Sequence, residues 1–149
     1  MNILFVCSGN TCRSPLAEAI ARRLVADAQR SDVHVSSAGT SAWDGSPASD
    51  GALLVGMERG LDLSEHRSRH LTQEILRDAD LVLVMSPPHL SHVKDLAPES
   101  NAHLLTSFTS GGEGHAVNDP FGGDLAAYRA TVEDLERELA GLLERIPVT

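Results

Sequence analysis

The sequence predicts a three-layer α/β fold: a four-stranded parallel sheet with helices on both faces. Three observations carry that expectation. Short apolar runs alternate with helix-length amphipathic stretches, the pattern of strand–helix–strand crossovers. The run Leu81–Met85 is apolar at every position, as in a strand covered on both faces. Between the first apolar run and the first helix lies Cys7-Ser8-Gly9-Asn10-Thr11-Cys12-Arg13-Ser14. In open parallel sheets, ligands bind at the C-terminal ends of the strands.

Each element has its own signal. Asn2–Val6 is the first strand, through the buried run Ile3-Leu4-Phe5-Val6. Ser14-Pro15 reads as an N-cap followed by proline at the first helical position. The helix Pro15–Ala28 follows, with Leu16, Ile20 and Leu24 on one face. Val33–Ser36 is the second strand. Ala48–Gly60 is a helix with Gly60 just past its end, and Thr72–Asp78 is a shorter one. Leu81–Met85 is the third strand. Ser86-Pro87 repeats the cap-plus-proline start, and its helix runs to Leu96. Ala102–Leu105 is the last strand, and Ser107–His115 reads as a glycine-rich loop. Asp124–Ile146 is the longest helix, with Tyr128, Val132, Leu135, Leu139, Leu142 and Ile146 stepping by three and four. Right-handed crossovers place the first strand centrally.

The Cys7–Ser14 loop has the chemistry of a phosphate site. The first N–H groups of a helix lack intrahelical partners, and the helix dipole is positive there. Both favour a bound dianion, and the same field favours a thiolate at Cys7. Arg13 offers two parallel donors to two phosphate oxygens. Gly9 permits a tight backbone path. Ser14 is placed to cap the helix and donate to the Cys7 sulfur, and Asn10 to hold the loop in shape.

Cys7-Ser8-Gly9-Asn10-Thr11-Cys12-Arg13-Ser14-Pro15 resembles the signature loop of the low-molecular-weight protein tyrosine phosphatases. Asn118-Asp119-Pro120-Phe121 sits where that family carries its general acid. Ser37-Ala38-Gly39-Thr40 and Leu63-Ser64-Glu65-His66-Arg67-Ser68-Arg69 extend the match. The resemblance implies a hydrolase acting through a phosphocysteine. In it Cys7 is the nucleophile, Arg13 the clamp and Asp119 the acid. The amides of Ser8, Gly9, Asn10, Thr11, Cys12, Arg13 and Ser14 hold phosphate. Ser37 and His66 join Asn10 and Ser14 in supporting the loop. It further implies a reversible disulfide between Cys7 and Cys12, which would protect Cys7 from irreversible oxidation. No cofactor or metal is implied.

Composition agrees. A chain of 149 residues suits one domain, 1–149, with one core. A net charge of −9 argues against nucleic acid and anionic membrane surfaces. Both cysteines lie in the loop, leaving no disulfide framework or zinc pattern. A nucleophilic thiol needs a reducing compartment, so a cytoplasmic protein is expected; the resemblance implies a phosphorylated protein as substrate, and a monomer is expected. The opening residues lack a basic leader, and no stretch is long and apolar enough to span a membrane. His34, His70, His89, His92, His103 and His115 fall into no constellation. The spacing of His89 and His92 reads as a solvated helix face.

Substrate choice turns on Thr11, Trp43 and Phe121, the expected pocket walls. Tyrosine-directed members commonly carry an aliphatic residue at the place of Thr11 and two aromatics after the Asp-Pro. Here Phe121 is followed by Gly122-Gly123. Thr11 with Asp119-Pro120-Phe121-Gly122-Gly123 resembles the bacterial protein-arginine-phosphatase branch, since a threonine hydroxyl accepts from a guanidinium. Trp43 resembles the ring-stacking residue of the tyrosine type. The resemblance therefore favours phosphoarginine, with phosphotyrosine as the alternative. A non-catalytic phosphate-binding module is disfavoured because nucleophile and acid are both present. A thioredoxin-linked arsenate reductase is disfavoured because no cysteine follows Cys12.

Overall fold

Strand β1 (Asn2–Cys7) is the sheet's central member, and its pleat divides the protein in two. Ile3, Phe5 and Cys7 face one side; Leu4 and Val6 face the other. A computed structural model describes residues 1–110 and 114–147. β1 pairs in parallel with β2 (His34–Gly39) and β3 (Leu81–Val84), and β3 with β4 (Ala102–Leu104). The order β2-β1-β3-β4 is the expected parallel sheet, with β1 inside. The register sets Cys7 opposite Gly39.

Among the described residues, six α-helices cover the sheet. On the Phe5 face lie α1 (Arg13–Asp27), α2 (Asp50–Glu58), α5 (Leu105–Ser110) and α6 (Leu125–Leu139). They bring Leu16, Ile20, Val55, Leu105, Val132, Leu135 and Leu139 into one buried cluster. On the Val6 face, α3 (Gln73–Asp78) and α4 (Pro87–Leu96) supply Leu76 and Val93 to a second. Three caps act through side chains. Ser49, Thr72 and Asp124 accept from the amides of Ala52, Ile75 and Ala127, giving donors the partners a helix start lacks. Gly60, with φ +72°, closes α2. Its amide and that of Leu61 return to the carbonyls of Met57 and Gly56, a Schellman ending.

Most element boundaries shift by one or two residues from expectation, and four of the differences have a physical reading. The first helix begins at Arg13, with Cys12 at the N-cap position and no side-chain cap. Ser14 is therefore inside the first turn. Pro15 is tolerated there because its missing N–H would have no intrahelical acceptor. The second strand runs on to Gly39. The expected loop from Ser107 is helical as far as Ser110; the single Thr109 hydroxyl proton lies between the Leu105 carbonyl (3.1 Å) and Glu138 of α6 (2.8 Å). The helix expected as the longest, over Asp124–Ile146, ends at Leu139 and is no longer than α1, and after Gly141 a 3₁₀ turn spans Leu143–Arg145. Glycine weakens a helix interior, yet Leu142 and Ile146 stay buried as the spacing requires. No helix among the described residues is long and apolar enough to cross a membrane.

Candidate active site

The loop between β1 and α1 wraps around a cavity of about 160 Å³. Its lining is Cys7, Ser8, Gly9, Thr11, Cys12, Arg13, Asp119 and Phe121. The carbonyls of Cys7 and Ser8 accept from the amides of Thr40 and Ser41, so the loop's outer edge is tied to the end of β2. Among the described residues, no amide from Ser8 to Arg13 donates a hydrogen bond. Those donors and the start of α1 form a cradle for an anion.

Asn10 sets the loop's shape. It is fully buried and left-handed, with φ +56°, a conformation asparagine tolerates better than most residues. Every polar atom of its side chain is used. Nδ2 donates to Ser14 Oγ (2.8 Å) and Ser37 Oγ (2.9 Å), and Oδ1 accepts from the Arg69 amide (2.9 Å). Its main-chain carbonyl meets His66 Nε2 at 2.7 Å. Ser37 in turn donates to Glu18 at 2.6 Å. Because Ser14 Oγ accepts from Asn10, its own hydroxyl is free to donate to Cys7 Sγ, 2.9 Å away. A fully satisfied buried network of this kind fixes one geometry.

The turn's need for glycine falls elsewhere than expected. A Cβ on Gly9 would meet Thr11 Oγ1 at an ordinary 3.6 Å. On Gly39 it would stand 2.4 Å from the Ser8 carbonyl oxygen and 2.9 Å from the Asn10 amide. Gly39→Ala is expected to push the loop off its position and lower kcat/KM by about 10²-fold, the cost of an ångström-scale misplacement. Steady-state kinetics checks this, with wild-type kinetics the opposing result.

Arg13 is buried along its length and donates Nη1–H to the Val117 carbonyl at 3.0 Å. Val117 is itself held by its amide on the Met85 carbonyl (2.8 Å). Arg13 Nη2 lies 3.6 Å from Asp119 Oδ2. The other Asp119 oxygen accepts from the Phe121 amide at 3.1 Å, which fixes the Asp-Pro turn. The carboxylate is half exposed and so reaches both cavity and solvent. Of the glycine-rich loop expected over Ser107–His115, Gly111, Gly112 and Glu113 lie outside the described residues. Gly114 is fitted closely against Ser107.

Cys12, a free thiol like Cys7, points away from the cradle's network. Its sulfur is 3.2 Å from Ser49 Oγ and 3.5 Å from the Tyr128 hydroxyl. Tyr128 packs its ring so closely on α2 that any side chain at Gly51 would overlap it. Burial and its bond to Cys12 push the phenol up from its ordinary range. Thr11 and Phe121 line the cavity. Trp43 does not; it is 84 % exposed, beside a shallow hollow shared with Ser41, Ala42, Asp44 and His70.

His89 departs from its expected place. His92 is exposed, but His89 is buried on α4. Nε2 lies 2.8 Å from Ser8 Oγ and Nδ1 lies 2.9 Å from Ser86 Oγ. Burial first, then the Arg13 guanidinium, lowers its pKa to about 4, so the imidazole is neutral at neutral pH. The sequence held a signal for it, a histidine three residues after a serine at the C-terminal end of β3.

The one group of metal-ligand type among the described residues is His115, Asp134 and Glu138, with ligand atoms within 4.8 Å of one another. Asp134 is already shared with Arg137 and His115, which describes a surface ion-pair cluster.

Residues 2–148 match the family described as low molecular weight phosphotyrosine protein phosphatase. A protein-arginine-phosphatase from Geobacillus stearothermophilus is 40 % identical, covering 97 % of this chain and 95 % of its own. Among solved structures, a YwlE arginine phosphatase mutant with a phosphorylated active site serine superposes with a TM-score of 0.91 at 35 % identity, covering 97 % of this chain and 95 % of that one. A low molecular weight protein tyrosine phosphatase from T. tengcongensis gives 0.90 at 40 %, covering 98 % and 99 %. With its cysteine loop, buried arginine and aspartate around one cavity, the chain belongs to the low molecular weight phosphotyrosine protein phosphatase family.

Proposed function

We propose that this protein hydrolyses phosphoarginine in protein substrates through a phosphocysteine at Cys7. The observation that carries the reading is the shared cavity of Cys7, Arg13, Thr11 and Asp119. Cys7 sulfur attacks phosphorus in line, and the phosphorus–nitrogen bond breaks as Asp119 protonates the departing guanidine nitrogen. Water then attacks the phosphocysteine, Asp119 takes its proton, and the thiolate leaves with inorganic phosphate formed. The loop amides and Arg13 stabilise the equatorial oxygens. Val117 supports this by holding one end of the guanidinium, leaving the rest for the phosphoryl group. The solved relative with a phosphorylated active-site serine fits a side chain of this loop as phosphoryl acceptor. Cys7–Cys12 pairing under oxidants belongs to the same proposal, as does a reducing, cytoplasmic setting.

Relatives named for arginine and for tyrosine stand at the same 40 % identity, so the cavity wall decides the preference. A hydroxyl at Thr11 and a carboxylate at Asp119 both accept from planar guanidine N–H groups. Phe121 is the aromatic of the mouth, and the two glycines after it add no second ring. The alternative, phosphotyrosine, is favoured by Phe121 itself, which is 72 % exposed and open for stacking. The test is kcat/KM on matched phosphoarginine and phosphotyrosine peptides. Thr11→Ile is expected to lower the phosphoarginine value about tenfold relative to phosphotyrosine, the worth of one hydrogen bond to a charged group. Equal losses, or a wild-type preference for phosphotyrosine, overturn the assignment.

A further inference from the structure

We infer that His89 is a positioning residue of this site, holding the Ser8 hydroxyl away from the loop amides that receive the phosphoryl group. The inference rests on the reading of Cys7–Ser14 as the phosphoryl cradle.

The argument begins with what a serine does when left alone. Serine hydroxyls readily bond the amides of their own segment, typically two residues on. For Ser8 those amides belong to Gly9 and Asn10. Both are among the donors without a partner, and such donors are what a phosphoryl group must find unoccupied. Ser8 also lines the cavity. A hydroxyl turned inward there would take up one donor of the cradle and crowd the anion. A serine next to the nucleophile is therefore a liability unless something else holds it.

His89 supplies that hold from the buried side. His89 is 4 % exposed. Nε2 is 2.8 Å from Ser8 Oγ, and Nδ1 is 2.9 Å from Ser86 Oγ. Ser86 stands at the N-cap position of α4 but makes no side-chain cap. Its hydroxyl is spent on the histidine instead. A neutral imidazole presents one N–H and one lone pair, which suits two serine hydroxyls that each donate or accept. The charged or titratable groups that act on it electrostatically are Arg13 of α1, Asp119 and His92 of α4. The segment that anchors the histidine also anchors the acid loop, since Met85 accepts from the Val117 amide. His89 thus links the nucleophile end of the loop to the support of Asp119.

The test is a double-mutant cycle between positions 8 and 89. The readouts are kcat/KM on an aryl phosphate, inhibition by inorganic phosphate, and the thermal unfolding midpoint. With Ser8 present, His89→Ala is expected to lower kcat/KM and weaken phosphate inhibition about tenfold, as one lost charge-assisted donor would. In the Ser8→Ala background the same change is expected to cost less than about twofold, because no hydroxyl is left to misplace. Conservative variants separate the two ring nitrogens. His89→Gln places an amide at the reach of Nε2 and should restore most of the loss; His89→Asn reaches only as far as Nδ1 and should not. Equal losses in both backgrounds overturn the inference, as does equal behaviour of the glutamine and asparagine variants. A loss that tracks the unfolding midpoint alone does so too. If His89→Ala does not fold, the glutamine–asparagine pair decides. Wild-type protein that phosphate does not inhibit, or that keeps turnover as Cys7→Ser, would instead bring down the cradle reading itself.

Discussion

Cys7→Ser is expected to lower kcat by more than about 10⁴-fold, the scale of losing a nucleophile, while inorganic phosphate still binds. A serine hydroxyl is a weak nucleophile unless a base takes its proton, and any phosphoserine it forms has an alkoxide rather than a thiolate to expel in the second step. The partner of Cys7 Sγ is the hydroxyl of Ser14, at 2.9 Å. That group donates to a thiolate but takes no proton from an alcohol. The loop amides and Arg13 are untouched by the exchange, so the anion site survives. Single-turnover assays with phosphoarginine peptide and an aryl phosphate, with phosphate binding by calorimetry, check both halves. Residual turnover above about one per cent of wild type would remove Cys7 from the attacking role.

Asp119→Asn is expected to lower kcat on phosphoarginine by about 10²- to 10⁴-fold, the range for a positioned acid. The loss should be far smaller on an aryl phosphate with a weakly basic leaving group. The geometry motivates the contrast. Asp119 Oδ1 is occupied by the Phe121 amide and Oδ2 faces Arg13 and the cavity, so one oxygen is left to move a proton. An asparagine keeps the size of the group but moves no proton. A guanidine nitrogen leaves as a strong base and needs that proton, whereas a nitrophenolate departs without it. The ratio of the two losses is the measurement. Equal losses would mean that Asp119 orients the loop rather than protonating the leaving group.

Much of this site was readable in the chain because its parts are local. A strand, a cysteine loop and a helix follow one another within residues 2–27, and local order fixes their relative placement. Asp119 was readable only through resemblance, because nothing in an isolated Asp-Pro separates an acid from a turn. The helix start was misplaced at Ser14 because serine before proline is a strong cap signal. Here the demand of Asn10 and Cys7 for the Ser14 hydroxyl prevails over local capping. His89 was read as solvated because a three-residue spacing to His92 does not say which of the two faces inward. That depends on how α4 crosses the Ser8 loop, a tertiary fact. The helix α5 was hidden by its Ser- and Thr-rich sequence, which competes poorly as an isolated helix. It is held by contact with α6 and side chains that return to its own carbonyls.

The reach of α6 toward the loop has a consequence for how the protein comes into being. Tyr128 touches Cys12 across 116 residues of chain, and Arg13 is seated on Val117 across 104. A ribosome adding about 5–20 residues per second takes roughly 6 to 23 seconds to cover the longer gap. Until Val117, Asp119 and Tyr128 have in turn been made, the nascent chain carries Cys7, Cys12 and Arg13 without these partners. On the mechanism proposed above, the site is assembled only once the segment from Val117 to Tyr128 has been made and has docked.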